Sequence, residues 1–403
     1  MDLQFPNLRH LRVCLEVAKT TSVSAASKRV HLSQPAISQA IAKLEKTLGI
    51  DLFDRGTNGI FPTQPGKLYF KRVDRALAHL RLGADPAQKN NFDTEAVDKG
   101  YDRFLTAAQL RALVALSRSN NFSIAARSIG ISQPSLHRAA RDLEKVAGTE
   151  FFKTGKQGVE LTKSADILAR HAMLSASELR HGYSEIQEYL GLEPSRIYVG
   201  TLPLARSHIL PASIDTMIKE NRFLQVQIID GPYGEQLHRL RQGEIDFMIG
   251  ALRDQTPIDD IVQETLFVDT LAVVVRKGHP VTKKKSVTLG DVLTYPWIAP
   301  PKNTPTGKYL LEKLGIGAMD ATPVRIVSSS MLFVRSLLLR GDYVTIISTH
   351  QIRQQLEQGE LVQVPLDMSD SDREIGLTYR LGWHPTPNQS RLLDIIRDVS
   401  KTA

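Results

Sequence analysis

One cysteine in 403 residues, Cys14, leaves this chain no internal disulfide. It lies on an apolar helical stripe with Leu8, Leu11, Leu15 and Ala18, so a packed thiol in a reducing compartment is expected rather than a redox sensor. No run of about 18 apolar residues occurs, which excludes a membrane-spanning helix. The first thirty residues are broken by Asp2, Arg9, His10, Arg12, Glu16, Lys19, Lys28 and Arg29 and lack the apolar stretch of an export signal. These absences predict a cytoplasmic protein with no membrane partner, and they argue against a solute-binding protein for transport. Catalytic signatures are missing too. There is no Walker loop, no Gly-x-Gly-x-x-Gly at a strand–helix turn, no Gly-x-Ser-x-Gly elbow and no metal-spaced His/Cys cluster. No catalytic residue, metal or cofactor is therefore assigned, and a two-lobed α/β enzyme is an alternative without support.

What is present is a repeat. Ser33-Gln34-Pro35-Ala36-Ile37-Ser38 returns ninety-nine positions later as Ser132-Gln133-Pro134-Ser135-Leu136-His137. The match holds without a gap from Ser24/Ser123 through Ala26/Ala125, Leu44-Glu45-Lys46/Leu143-Glu144-Lys145, Gly49/Gly148, Phe53/Phe152, Gly56/Gly155 and Gly59/Gly158 to Thr63/Thr162. A register kept over about forty positions is a duplicated domain. Charge follows the same division: residues 1–181 carry 27 Lys and Arg against 17 Asp and Glu, whereas residues 182–403 carry 24 against 26. Confinement of the positive excess to the repeated part points to a polyanionic partner.

In the first copy a helix is predicted over about Leu8–Thr20 and a short one over Ser24–Val30, with Ala25 and Ala26 where two helices must approach closely. His31-Leu32 makes the turn. Ser33 is a good N-cap for a third helix, and Pro35 falls in its first turn, where a missing N–H costs nothing. Ile37, Ile41, Leu44 and Leu48 form the buried stripe of that helix, while Gln34, Ser38, Gln39 and Lys43 face outward. Neutral hydrogen-bonders and a cation suit base edges and phosphates in a major groove. Phe53–Thr63 has hairpin chemistry, with Gly56 and Asn58-Gly59 at the turn, and Arg55 on it is placed for phosphate or minor-groove contact. The expected DNA-binding residues of this copy are thus Ser33, Gln34, Pro35, Ser38, Gln39, Lys43 and Arg55.

These residues resemble the LysR-type transcriptional regulators. The matching words are Ala25-Ala26, Ser33–Ser38, Leu44-Glu45, Leu48-Gly49, Leu52-Phe53-Asp54-Arg55, Pro62-Thr63 and Gly66. The family often has a second wing arginine where this chain has Asn58. In the second copy Leu136, Ala140, Leu143 and Ala147 form the buried stripe. Ser132, Gln133, Ser135, His137, Arg138 and Arg141 face outward, of which Ser132, Gln133, Ser135, Arg138 and Arg141 are taken as DNA-binding. Thr154 replaces the wing arginine and Ala165 replaces Gly66, although Lys153, Lys156 and Lys163 keep the wing cationic. Two readings stand for this copy: a DNA reader of different specificity, or a module that only packs or dimerises.

After each wing an amphipathic helix is predicted, over Lys67–Leu82 and over Ala165–Leu190, with a polar surface linker from Gly83 to Gly100 that holds Pro86, Asn90 and Asn91. The resemblance implies that such a helix pairs antiparallel in a dimer; packing on its own domain fits the first one equally well.

From Arg196 onward short β-rich runs alternate with helical ones: Ile197–Thr201, Leu224–Ile229, Ile245–Ile249, Leu271–Val275, Trp297–Ala299, Val324–Val327, Tyr343–Ile347 and Ile375–Tyr379. This predicts a mainly parallel sheet with helices on both faces, and about 200 residues suit two lobes. Val199-Gly200, Leu210-Pro211, Gly243-Glu244-Ile245-Asp246, Val275–Pro280 and Leu337–Gly341 are similar to the LysR effector domain, which implies a periplasmic-binding-protein-like pair of subdomains. Gly200–Arg206 with Gly231-Pro232-Tyr233 looks most like the galactose-binding-protein-regulator branch. Small ligands in such folds lie at strand C-terminal ends. The expected effector residues are Thr201, Leu204, Tyr233, Asn303, Thr304, Ser328 and Ser329, suited to an anion or polyol, that is an organic acid or a sugar. Helix capping fits Ser328–Ser330 equally well.

The fold class expected is α+β multidomain: two tandem winged helix-turn-helix domains followed by a two-lobed α/β periplasmic-binding-protein-like effector domain. Its boundaries are 1–66, first reader; 67–100, helix and linker; 101–164, second reader; 165–194, linker helix; and 195–403, effector domain, with lobe I at about 195–267 and 366–403 and lobe II at about 268–365. The partners implied are double-stranded DNA, a small-molecule effector, further copies of the chain as dimer and tetramer, and RNA polymerase.

Overall fold

The computed structural model describes residues 5–56, 59–85, 100–155, 158–191, 195–253 and 258–401. Two compact units divide the chain, one of residues 1–196 with 241–244, the other of residues 197–240 with 245–403.

In the first unit each copy of the repeat forms three helices and a two-stranded hairpin. The first copy holds α1 (Leu8–Thr20), α2 (Val23–Val30), α3 (Gln34–Leu48), β1 (Phe53–Gly56) and β2 (Gly59–Pro62), followed by α4 (Gln64–Ala84). The second holds α5 (Ala107–Ser119), α6 (Phe122–Ser128), α7 (Gln133–Ala147), β3 (Phe152–Gly155) and β4 (Gly158–Leu161), followed by α8 (Lys163–Leu190). The caps explain the boundaries. Ser33 Oγ accepts from Ala36 N–H at 3.4 Å, Ser132 Oγ accepts from Ser135 N–H at 3.3 Å, and Gly49 and Gly148 end the third helices in the left-handed region. α2 begins at Val23, one residue before the expected start, because Ser22 caps it through Ala25 N–H.

The duplication extends to single hydrogen bonds. Glu45 Oε1 accepts from Leu52 and Phe53 N–H at 2.8 and 3.2 Å, and Glu144 Oε1 accepts from Phe151 and Phe152 N–H at 2.9 and 3.1 Å. Thr21 and Asn120, both at positive φ, each offer a carbonyl to the returning hairpin strand, to Ile60 and Val159 N–H. Gly59 and Gly158 sit against those carbonyls, where a Cβ would come within 2.8 and 2.4 Å of oxygen. Cys14 is fully buried in the shared core, and burial, with Glu45 nearby, pushes its thiol up to about 12. Of the stripe expected in α7, Leu136, Ala140 and Leu143 are buried and Ala147 is half-buried.

α4 and α8 begin three and two residues before the expected starts because Thr63 and Thr162 cap them. They pack along each other in antiparallel fashion, with Arg72 against Glu178 and His79 against His171. Neither expectation for α4 describes this: it pairs as a linker helix does, but with the other linker helix of the same chain. Residues 86–99 of the predicted linker, Asn58 and Lys156 lie outside the described residues.

The second unit has two five-stranded sheets. The first, in order β6-β5-β7-β14-β8, comprises β5 (Arg196–Thr201), β6 (Gln225–Asp230), β7 (Phe247–Ala251), β8 (Ile261–Asp269) and β14 (Arg373–Arg380). The second, in order β11-β10-β12-β9-β13, comprises β9 (Leu271–Arg276), β10 (Trp297–Ala299), β11 (Val324–Val327), β12 (Val344–Ser348) and β13 (Leu361–Gln363). α9 (Ile209–Glu220), α10 (Tyr233–Arg241), α11 (Leu289–Leu293), α12 (Pro305–Lys308), α13 (Met331–Leu338), α14 (Arg353–Glu357) and α15 (Pro387–Ser400) connect them.

The expectation of a mainly parallel sheet needs correction. β5–β7, β10–β11 and β10–β12 are parallel, but β14 runs antiparallel to β7 and β8, and β9 antiparallel to β12 and β13. The reason is the path of the chain, which leaves the first lobe between β8 and β9 and returns between β13 and β14. The two crossovers are tied side by side, Leu271 N–H donating to Ser371 Oγ at 3.0 Å and Thr270 Oγ1 donating to Asp372 at 2.7 Å.

Candidate functional site

Two surfaces and one cavity collect the residues singled out by the sequence. On the first reader, Gln34, Pro35, Gln39 and Lys43 are exposed on α3 with Ser33 at its cap, Ser38 is half-buried, and Arg55 is exposed on β1. The opposite face of α3 is closed by Ile37, Ala40, Ile41, Leu44 and Leu48. The helix is therefore held by one face and offers the other.

The second reader presents the same face with different chemistry. Ser132, Gln133, Ser135, Arg138 and Arg141 are exposed. Gln133 Oε1 accepts from Ser123 Oγ at 2.7 Å, and Ser132 and Ser135 share a hydroxyl–hydroxyl hydrogen bond at 2.8 Å. His137, where the first copy has Ser38, stacks on Phe122 with ring centroids 3.7 Å apart. Arg141 pairs with Glu144 at 2.7 Å, but its side chain is 69% exposed, so water screens the pair and the guanidinium is free to exchange partners. Arg138 projects from the same face.

Between α4 and α8 lies a buried charge cluster. Arg72, 3% exposed, bonds Glu178 at 3.0 Å and Glu185 at 2.5 Å, and Arg75 bonds the other Glu178 oxygen at 3.1 Å. Burial by itself would raise the Glu178 carboxyl, but Arg75 and Arg72 overcome it and hold it at about 2.

The cavity lies in the second unit, between its two sheets, with a volume of about 610 Å³. Leu204, Tyr233, Asn303, Thr304, Ser328 and Ser329 line it, six of the seven effector residues expected. Thr201 does not: it is fully buried and its hydroxyl donates to the Leu202 carbonyl at 3.2 Å. Ser330, rather than Ser328 or Ser329, caps α13 by accepting from Phe333 N–H. Three arginines on the wall escaped sequence reasoning. Arg206 lies 3.4 Å from Asp230, Arg253 stands 4.0 Å over the Tyr233 ring, and Arg373 bonds fully buried Asp269 at 2.7 Å and Thr306 Oγ1 at 2.5 Å. The Tyr233 hydroxyl is buried without a hydrogen-bond partner among the described residues. A wall of guanidinium, hydroxyl and amide groups over apolar Leu202, Met331 and Val334 suits a small ligand with an anionic or hydroxylated end.

The family described as bacterial regulatory helix-turn-helix protein, lysR family, matches residues 8–67 and again 107–166. The LysR substrate binding domain matches residues 191–401. The HTH-type transcriptional regulator GalR of Pseudomonas putida is 31% identical over 402 residues, 99% of this chain and 98% of that one. The chain belongs to the LysR family. PcaQ of Agrobacterium fabrum is 25% identical over 299 residues, covering 74% of this chain and 96% of its own. Full-length OxyR from Pseudomonas aeruginosa has the same fold, with TM-score 0.52 at 20% identity over 74% of this chain and 95% of that one. CbnR, a LysR family transcriptional regulator, does so with TM-score 0.50 at 16% identity over 72% and 98%.

This LysR-family chain is a transcriptional regulator with DNA-binding and effector-binding domains, and not an enzyme. Among the described residues no helix is long and apolar enough to cross a membrane. Loops named from the LysR resemblance line the cavity because they sit at strand ends. Arg206 was within reach, since it closes the run Gly200–Arg206. No local signal marks Arg373, whose partner Asp269 is 104 residues away.

Proposed function

We propose that this regulator reads duplex DNA with α3 and α7. Ser33, Gln34, Pro35, Ser38, Gln39 and Lys43, and Ser132, Gln133, Ser135, Arg138 and Arg141, meet bases and phosphates, and Arg55 on the first wing meets the backbone. The observation that carries this reading is a helix, made twice, with an apolar face locked in the core and a polar face left to solvent. The net positive charge of the repeated half supports it, because neutralising phosphates releases counterions.

The cavity takes the effector, an organic acid or a sugar held by Tyr233, Asn303, Thr304, Ser328 and Ser329. A ligand that binds one lobe arrangement more tightly than the other shifts the population of assemblies on DNA. Chains associate as dimers and tetramers, act in the cytoplasm, and alter recruitment of RNA polymerase.

The test is selection of binding sites from random duplexes with the full-length protein, followed by salt-titrated binding to selected and scrambled duplexes. A sequence-independent affinity at every salt concentration would refute it and leave a nonspecific DNA coater.

A further inference from the structure

The two linker helices obey a quasi-twofold relation. A shift of ninety-nine positions makes Arg72 the counterpart of His171, and His79 the counterpart of Glu178. The contacts Arg72–Glu178 and His171–His79 are therefore the same contact seen from the two ends of the pair. The glycines repeat the relation. A Cβ on Gly83 would meet His171 Cβ at 2.7 Å and Leu168 at 3.1 Å; one on Gly182, its counterpart, would meet Arg72 Cβ at 2.9 Å and Tyr69 at 3.1 Å. Ala76 and Ser175, buried counterparts, fall midway.

The two ends differ in chemistry. One holds Arg72 and Arg75 with Glu178 and Glu185; the other holds two imidazoles with ring centroids 5.7 Å apart. Pairing α4 with the α4 of another chain in this register would set Arg72 opposite His79 twice, and pairing α8 with α8 would set His171 opposite Glu178 twice. Neither gives the buried Arg72 its two carboxylates. The counterpart of Arg75 is Leu174, and that of Glu185 is position 86, past the end of α4. A buried cation that loses its carboxylates is strongly unfavourable, so the charge pattern selects the mixed pair against both like pairs.

We propose that each chain builds its own two-headed DNA reader, α4 against α8, and that one chain by itself covers two neighbouring half-sites of unlike sequence. This rests on the reading of α3 and α7 as DNA readers. The unlike half-sites follow from the reading faces, where Ser38, Gln39 and Lys43 are answered by His137, Arg138 and Asp142. The partner it fits is a composite, non-palindromic duplex element, one element per chain.

The experiment uses the full-length protein. His79→Cys/His171→Cys is oxidised and run unreduced under denaturing conditions; Cys14, buried, stays out of the reaction. Closure at the mass of one chain supports the proposal. A species of twice that mass overturns it, as does failure of both this pair and Ala76→Cys/Ser175→Cys, midway along the helices, to close in variants that melt like wild type. Hydroxyl-radical footprints on a selected site give the second arm. Two adjacent protected segments of different sequence per chain are expected. Arg138→Ala/Arg141→Ala should lose one segment and about tenfold in affinity. An unchanged footprint, or selected sites with identical inverted halves, overturns the proposal. One-chain closure in a protein that selects no sequence would instead sink the DNA-reading assignment and leave the helix pairing standing.

Discussion

Gly83 and Gly182 stand at opposite ends of one antiparallel helix pair, each with the side chain of the other helix over its bare Cα. They are counterparts in the repeat, so one close approach, written once in the ancestral module, is used twice. Gly182→Val should overpack the contact with Arg72 and Tyr69 and lower stability by about 1–3 kcal/mol. Thermal melts of the full-length protein check this, and a Tm equal to wild type would mean that the helices are not packed there.

Glu45 and Glu144 each satisfy two backbone N–H groups at the root of a hairpin. Glu45→Ala leaves those donors without a partner and is expected to cost about 1–3 kcal/mol. The wing should also swing more freely, so hydrogen exchange at Leu52 and Phe53 should speed up relative to Phe151 and Phe152 in the same molecule.

Base contact and phosphate contact separate in their salt and sequence dependence. Gln34→Ala should relax preference at one position of the selected site by about 1–3 kcal/mol. Arg55→Ala should weaken selected and scrambled duplexes alike and reduce the salt slope by about one. A change confined to specificity at Arg55 would contradict its assignment to the wing–backbone contact.

Acid should loosen the helix pair. Burial, with His79 and Arg170 adding to it, pushes the His171 imidazole from 6.5 down to about 3. Below pH 6.5 the unfolded chain therefore takes up a proton that the folded chain refuses, and stability falls by up to about 1.4 kcal/mol per pH unit as pH drops toward the folded value. Glu178, held at about 2 against 4.5, adds a second loss below about pH 4.5. Melting temperatures between pH 7 and 5 should slope down in wild type and flatten in His171→Gln. Equal slopes would assign the acid sensitivity to another group.

Asp269 holds Arg373 at the edge of the cavity and receives the Ser348 hydroxyl at 2.6 Å. Asp269→Ala strands that arginine, and a cost of about 3 kcal/mol or more is expected. Asp269→Asn keeps the Ser348 contact but not the charge, so its effector titration should be weakened while its DNA affinity without effector stays near wild type. Calorimetry with candidate organic acids and sugars distinguishes the two effects.

The amino-acid sequence by itself determined the two modules, their caps and their buried stripes, because these depend on periodicity within a turn or two and on a register kept across the repeat. It determined the strand ends whose loops line the cavity, for the same reason. It did not determine the strand β8, whose residues at the sheet edge alternate poorly, or the antiparallel β9 and β14, which follow from the chain crossing between lobes twice. Only the tertiary structure decided that α4 takes α8 of its own chain as partner. An amphipathic stripe states that a helix must be covered, not by which helix. The choice rests on Arg72 meeting carboxylates 106 and 113 residues away, and the cavity wall in the same way rests on Arg373 meeting one 104 residues away. Such distances exist only once the chain has folded.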